Sequence, residues 1–109
     1  MIPDYQTLML PLLQLVSDGR EYKLNDIVEI LAVNFKLTNE ERNELLPSGQ
    51  TFVFGSRVGW ARTYLKKAGI LDSLKRGTIV ITDRGRKILK EKPSEINNKL
   101  LTHLTQNKS

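Results

Sequence analysis

Apolar residues recur at helical spacing near the start of the chain. They predict one helix over residues 3–18, which opens on a proline and an aspartate and stops at Asp18-Gly19. Pro11 either kinks this helix or marks its true beginning. A second helix is predicted over residues 24–35, and its core-facing positions are Ile27, Val28, Leu31 and Ala32.

Two further helices follow in the middle of the chain. Residues 38–41 match the S/T-x-x-E capping box, which predicts a short third helix to about Leu46. A longer fourth helix is predicted from about Ser56 to Ala68, with Gly69 as its left-handed C-cap. At about 100° per residue, its apolar side carries Val58, Ala61, Leu65 and Ala68, and the opposite side carries Gly59, Arg62, Thr63 and Lys66.

The pattern then changes to short apolar runs. Residues 70–74 and 78–81 read as two strands, and Lys75-Arg76-Gly77 joins them in a tight basic hairpin turn. Thr82-Asp83 caps a further helix to about Lys90, and a last helix is predicted near residues 95–106.

This order of elements predicts a mainly α fold with a small β-hairpin wing, the winged helix-turn-helix arrangement. We expect residues 1–109 to form a single domain, with its core over about 2–92 and a C-terminal helix over about 94–106. In such a fold the longer helix can enter the major groove of DNA, and the hairpin tip can reach along the backbone.

The distribution of charge supports a polyanionic partner. The net charge is +5, but residues 1–54 hold 4 Lys/Arg and 8 Asp/Glu, whereas residues 55–109 hold 13 and 4. Segregation of this kind predicts one face for a polyanion and another for solvent or a protein partner.

Composition excludes several other classes. There is no cysteine, so a disulfide framework and a thiolate metal site are excluded, and the single histidine, His103, has no partner at metal-ligand spacing. We expect no cofactor. The apolar stretch at residues 8–16 is too short for a membrane span and lacks the marks of a signal peptide, so a cytoplasmic location is expected.

Candidate DNA contacts lie on the fourth helix and the hairpin. We expect Arg57, Arg62, Thr63 and Lys66 in the groove, where arginine can make paired hydrogen bonds to guanine. Backbone phosphates are the expected partners of Lys67, Lys75 and Arg76.

Two residues of the fourth helix are open to different interpretations. Trp60, at the margin of the apolar face, is expected to be a core or hinge residue rather than a platform for a flipped base. Gly59 costs helix stability, which indicates close approach either of another helix or of a DNA backbone.

Several segments at fixed spacing together resemble one known family. Residues 57–61 read R-V-G-W-A, residues 65–69 read L-K-K-A-G, and Ser48-Gly49-Gln50, Arg76-Gly77 and Ile81-Thr82 with Gly85 also fit. Over at least residues 2–90, the chain is similar to the Mrr N-terminal domain of type IV, modification-dependent restriction endonucleases. The family position before Arg57 is often asparagine and is Ser56 here, so base contacts at that position differ.

The resemblance implies a winged-helix domain that binds double-stranded DNA, typically methylated, in the nucleoid of a prokaryote. A following nuclease domain of the PD-(D/E)xK type would cut the DNA with Mg²⁺. That domain is not found in this chain, which is therefore not expected to be an enzyme by itself. Pro3-Asp4 with Glu21-Tyr22-Lys23 mimics the nuclease signature, but one part begins a helix and the other lies in a link between helices.

A second class of function remains open alongside DNA binding. Winged-helix domains also serve in protein assembly or homodimerisation, and the acidic first half and the apolar stripe Leu100, Leu101 and Leu104 suit that use. A small enzyme has little support, because no pair or triad of catalytic residues converges in the sequence. The sequence does not specify the bases or modifications preferred.

Overall fold

The computed structural model describes the backbone of residues 2–106 and the side chains of residues 2–102. The chain is mainly helical and adds a small three-stranded antiparallel sheet in the order β1-β3-β2. The elements run, in chain order, α1 (Tyr5–Leu15), β1 (Tyr22–Lys23), α2 (Leu24–Asn34), α3 (Asn39–Arg42), α4 (Val53–Lys67), β2 (Leu71–Asp72), β3 (Thr78–Ile81), α5 (Asp83–Lys90) and α6 (Asn98–Gln106).

Helix α1 begins at Tyr5, two residues after the predicted start, and ends at Leu15, three residues before the predicted end. Asp4 is its N-cap: the backbone N–H of Thr7 donates to Asp4 Oδ1 at 2.8 Å. This N–H holds the pKa of the Asp4 carboxyl below its ordinary value. The helix continues through Pro11, so the alternative that Pro11 marks the true beginning is wrong.

The edge strand β1 was not predicted. Tyr22 pairs with Ile79 and Lys23 with Thr78, and the N–H of Leu24 donates to Gly77 O at 2.9 Å. A two-residue strand carries no periodicity of its own, because its pairing partner lies more than fifty residues away. Residues 21–23, expected to be only a link between helices, therefore tie α2 to the β2–β3 hairpin.

Helix α3 has the predicted start but ends sooner. The capping box is confirmed, since the N–H of Glu41 donates to Thr38 Oγ1 at 3.1 Å and that of Thr38 to Glu41 Oε1 at 2.9 Å. The helix stops after a single turn at Arg42 rather than near Leu46. Pro47 disfavours the α conformation at Leu46, and the chain instead forms a loop over residues 44–53.

Helix α4 begins three residues before the predicted start. Its N-cap is Phe52, which pairs with Leu45 across that loop, so Ser56 lies inside the first turns rather than at the start. The C-terminal end is as predicted. Gly69 takes the left-handed conformation with φ +77°, and the Arg84 guanidinium donates to Ala68 O at 2.8 Å.

The core lies mainly between α1 and α4, with α2, the sheet, α5 and α6 closing around it. Predicted α4 core residues Val58, Ala61, Leu65 and Ala68 are all buried. Buried apolar residues from the other elements include Leu8, Met9, Leu12, Leu13, Ile27, Leu31, Ile70, Ile79, Ile81, Ile88, Ile96 and Leu101. The element order and the β2–β3 hairpin are compatible with a winged helix.

The C-terminal helix starts later than predicted, because the side chain of Asn97 caps it. Asn97 Oδ1 accepts from the N–H of Leu100 at 3.0 Å. Leu101 is only 5% exposed and Leu100 packs against the same core. The stripe that favoured a protein interface is therefore used inside the molecule at these two positions. Leu104 and His103 lie outside the described side chains.

Candidate nucleic-acid interface

The outer face of α4 consists of two adjacent stripes of side chains at helical spacing. Opposite the buried positions, one stripe runs along residues 55, 59, 62 and 66 and the other along 56, 60, 63 and 67. None of these eight residues is buried in the structure. We call the eight together the outer face; its members are Gly55, Ser56, Gly59, Trp60, Arg62, Thr63, Lys66 and Lys67.

The outer face is divided along the helix axis into a neutral half and a basic half. Residues 55–60 on this face are glycine, serine or tryptophan, whereas Arg62, Lys66 and Lys67 follow within the last two turns. Helix α4 contains no acidic residue. Cations near a helix C-terminus also meet the negative end of the helix dipole, so this placement stabilises the helix.

The three cations of the basic half have no ion-pair partner within the part of the chain that the structure describes. Two carboxylates of the acidic first half pair within that half, Asp18 with Arg20 and Glu29 with Arg42. Arg62 is half-buried and its Nε is shielded from solvent without a hydrogen-bond partner among the described residues. A buried N–H of this kind has a free-energy cost until an acceptor meets it.

Thr63 makes its hydrogen bond within the helix. Its hydroxyl donates to Gly59 O at 2.9 Å, which leaves the oxygen lone pairs as acceptors. Ser56 is half-buried on the same stripe, one turn before Trp60. These two hydroxyls are the short polar side chains of the outer face.

Gly59 and Gly55 face open space. A Cβ built on either glycine meets no atom of another element within 4 Å. Of the two explanations for Gly59, close approach of another helix is therefore wrong for the described residues. No contact among those residues requires either glycine, and Gly59, in the helix interior, costs about 1 kcal/mol relative to alanine.

Arg57 does not share the outer face. Its half-buried guanidinium lies on the flank toward the N-terminus, where Nη1 donates to Ile2 O at 2.9 Å and approaches Pro3 O at 3.4 Å. The arginine thus fastens the segment before α1 to α4. Its assignment to the DNA groove stays a prediction, and the guanidinium already has acceptors inside the protein.

A substitution separates these two roles of Arg57. We expect Arg57→Ala to lower the free energy of unfolding by about 1.5 kcal/mol, since a charged donor to two part-buried carbonyls is lost. Its duplex affinity should stay within about twofold of the wild type, by fluorescence anisotropy at a temperature where both proteins are folded. Arg86→Ala is the control and should cost less than about 0.5 kcal/mol, because among the described residues Arg86 forms an ion pair only with exposed Asp83. Loss of affinity without loss of stability would instead place Arg57 on the DNA.

Trp60 is the largest departure from the sequence-based interpretation. The side chain is 55% exposed, so its assignment to the core is wrong, and its assignment to a hinge stays a prediction. Its ring lies 6.1 Å from that of Tyr64, which stacks on Tyr5 at 5.2 Å. Tyr5 Oη in turn accepts a hydrogen bond from Asn98 Nδ2 at 2.5 Å. The three rings form an aromatic ladder from α6 and α1 to the outer face of α4.

The tip of the β2–β3 hairpin presents a second group of cations. Lys75 and Arg76 are both exposed, and Gly77 takes φ +78°, which fits its predicted role in the turn. Lys23 of β1 lines the same cleft as these two residues and the start of α2. Sequence reasoning missed Lys23, because its position beside the hairpin follows only from the pairing of β1 with β3.

One carboxylate lies at the base of this hairpin tip. Glu21 Oε2 is 3.0 Å from the hydroxyl of Thr78, which also accepts from the N–H of Lys75 at 3.1 Å. Glu21 therefore has a structural contact with the hairpin, and Asp4, the other carboxylate of the nuclease-like pattern, is the N-cap of α1.

Among the described residues, no group of three or more His, Cys, Asp or Glu side chains is placed to hold a metal ion. Over those residues, no helix has both the length and the apolar character to cross a membrane.

Comparison with known proteins identifies the family to which the chain is similar. The sequence model of the Mrr N-terminal domain matches residues 5–91. A curated relative, the type IV methyl-directed restriction enzyme EcoKMrr of Escherichia coli, is 30% identical over 104 residues. The match covers 94% of this chain and 34% of the relative, so the chain spans about a third of the length of the curated relative it matches. No solved structure matches the chain.

Proposed function

Because the chain belongs to the Mrr N-terminal domain family, we propose that it is a DNA-binding domain that targets a restriction enzyme to its substrate. The fold acts as one winged-helix domain: α4 enters the major groove with its outer face, and the β2–β3 hairpin is the wing. In the full-length protein a Mg²⁺-dependent nuclease domain performs the cleavage, as the similarity to a restriction enzyme suggests.

One observation carries this proposal: the basic half of α4 has cations and no internal partners for them. Arg62, Lys66 and Lys67 share one exposed end of a helix without an acidic residue, and the described residues offer them no ion pair. Cations without an internal ion pair are free to neutralise the phosphates that line a groove. A solvated surface helix more often mixes both signs of charge.

The position of each half of α4 suggests which residues contact the bases and which contact the phosphates. In helix-turn-helix proteins the N-terminal part of the recognition helix contacts base edges. The neutral half of the outer face then meets the bases, while Arg62, Lys66 and Lys67 meet phosphates beside the groove. The hairpin cations Lys75 and Arg76 contact the backbone farther along, and Lys23 lines the cleft beside them. Compared with the sequence-based division, this assignment moves Arg62 and Lys66 from bases to phosphates.

Salt dependence of duplex binding tests the proposal. If Arg62, Lys66, Lys67, Lys75 and Arg76 each neutralise one phosphate, log K falls with log salt at a slope of about −4.5. Raising salt from about 50 to 200 mM should then weaken binding about 500-fold. Fluorescence anisotropy of a labelled duplex measures both values. A folded protein that shows no duplex binding at the lower salt contradicts the proposal and favours the protein-interaction alternative.

A further inference from the structure

We propose that Trp60 determines specificity by contacting the C5 methyl group of a pyrimidine in the major groove. This inference rests on the proposed function of α4 and names a chemical feature that its neutral half recognises. The C5 methyl group is the same chemistry whether it belongs to thymine or to 5-methylcytosine.

The exposure of Trp60 is unexplained by the fold. An indole is one of the largest apolar side chains. Because more than half of it lies in solvent, the protein lacks the stabilising free energy that burial of this surface in the core would provide. The tryptophan adjoins Ser56 and Thr63 at helical spacing, and Lys67 lies two turns farther along the same stripe, so it shares the face with which α4 is proposed to meet DNA. The basic half of the same face, farther along the helix, favours a polyanion over an apolar protein partner.

The ring is held in place before any ligand arrives. Tyr64 packs beside it, Tyr5 stacks on Tyr64, and Asn98 of α6 holds the Tyr5 hydroxyl. These contacts join three helices behind the exposed indole. An aromatic side chain fixed in this way loses little conformational entropy on binding, which makes it an effective contact residue.

The neighbours of the ring allow it to reach the floor of the groove. Gly59 and Gly55 add no side chain between α4 and an approaching surface, and a Cβ at either would meet no other element of the protein. The helix backbone can therefore lie close to the bases at the level of Trp60. A lysine or arginine at these positions would hold the helix at the phosphates instead.

The chemistry of the groove selects the methyl group as the partner. Base edges in the major groove present hydrogen-bond donors and acceptors, and the C5 methyl group of thymine is their apolar feature. A methyl group on C5 of cytosine occupies the same place in the groove. A flipped base would need a pocket that encloses it, whereas Trp60 lies open to solvent over more than half its surface.

The experiment compares Trp60→Ala and Trp60→Phe with the wild type on matched duplexes. Four probes of one sequence are used: the unmodified duplex, the duplex with uracil for every thymine, the duplex with 5-methylcytosine, and the duplex with both changes. We expect removal of the methyl groups that Trp60 contacts to weaken wild-type binding about three- to tenfold by anisotropy. Trp60→Ala should lose this discrimination and keep the salt slope, and Trp60→Phe should keep part of it.

The four probes distinguish thymine from 5-methylcytosine as the source of the methyl group. They also distinguish a wrong role for Trp60 from a wrong proposed function. Loss of affinity on the uracil duplex assigns thymine, and gain on the 5-methylcytosine duplex assigns the modified base. Equal discrimination by wild type and Trp60→Ala, or none by the wild type, overturns the role of Trp60 while duplex binding itself stands. Absence of duplex binding by the wild type rejects the proposed function and this inference with it. Thermal unfolding of each variant confirms that the proteins compared are folded.

Discussion

Replacing Arg62 and Lys66 together by glutamate is expected to lower duplex affinity at least about a hundredfold at 100 mM salt. Two proposed phosphate contacts are lost, and two carboxylates are placed against the backbone phosphates. The slope of log K against log salt should also become shallower by about two, because each lost contact releases about one counterion fewer. Anisotropy titrations at several salt concentrations give both quantities.

The control for this double variant carries the same change of charge elsewhere. Lys87 and Lys90 are exposed on α5, a helix that packs on α1, so Lys87→Glu with Lys90→Glu changes the net charge equally. We expect this control to weaken binding no more than about fivefold, through long-range electrostatics alone. If both double variants lose affinity alike, binding depends on net charge and not on the outer face of α4.

Gly85→Ala is expected to lower the free energy of unfolding by about 2 kcal/mol. A Cβ at this position would lie 2.6 Å from Ile70 O and 2.7 Å from Ile81 Cγ1. The Ile70 carbonyl cannot move aside easily, since it accepts from the N–H of Thr82 at 3.1 Å and from its hydroxyl at 2.9 Å. The added methyl group must therefore push α5 away from the sheet.

The matched control is Gly59→Ala, the same substitution in another helix. Its Cβ meets no atom of another element within 4 Å, so only the gain in helix propensity remains. We expect Gly59→Ala to raise the free energy of unfolding by about 1 kcal/mol. Urea denaturation of both variants checks the pair, and equal signs for the two changes would contradict the packing described for Gly85.

The opposite behaviour of the two glycines bears on the outer face of α4. Gly85 serves the fold, because α5 approaches the sheet through it. Gly59 and Gly55 serve no contact within the described residues and weaken the helix that carries them. A partner outside the chain is the physical reason proposed for their presence.

Several helix caps, and the separation of α4 into an apolar side and a basic side, were predictable from the sequence. They depend on residues close together in the chain. The capping box at Thr38, the C-cap at Gly69 and the turn at Gly77 each act over a few positions. The starts of α3 and α5 were placed correctly for that reason. The start of α4 was missed, since its N-cap, Phe52, is fixed by a bridge to Leu45 and carries no capping side chain.

The candidate site was predictable in its charges and not in its geometry. Periodicity placed Arg62, Thr63 and Lys66 opposite the buried side of α4, and the structure brings them onto one face with Lys67. It did not separate Arg57 from them, because that residue is engaged by the carbonyl of Ile2, fifty-five positions away. Nor did it show that Trp60 is exposed, since a tryptophan at the margin of an apolar stripe is compatible with either environment.

The sequence by itself determined the order of the helices, several of their caps, the basic side of α4 and the family, because periodicity and short motifs are local. Only the tertiary structure decided that β1 joins the sheet, that Gly85 touches Ile70, that Leu101 belongs to the core and that Trp60 does not. Each of these features depends on which distant segments pack together. Long-range packing is set by the sum of many weak contacts over the whole chain, and no short segment encodes it.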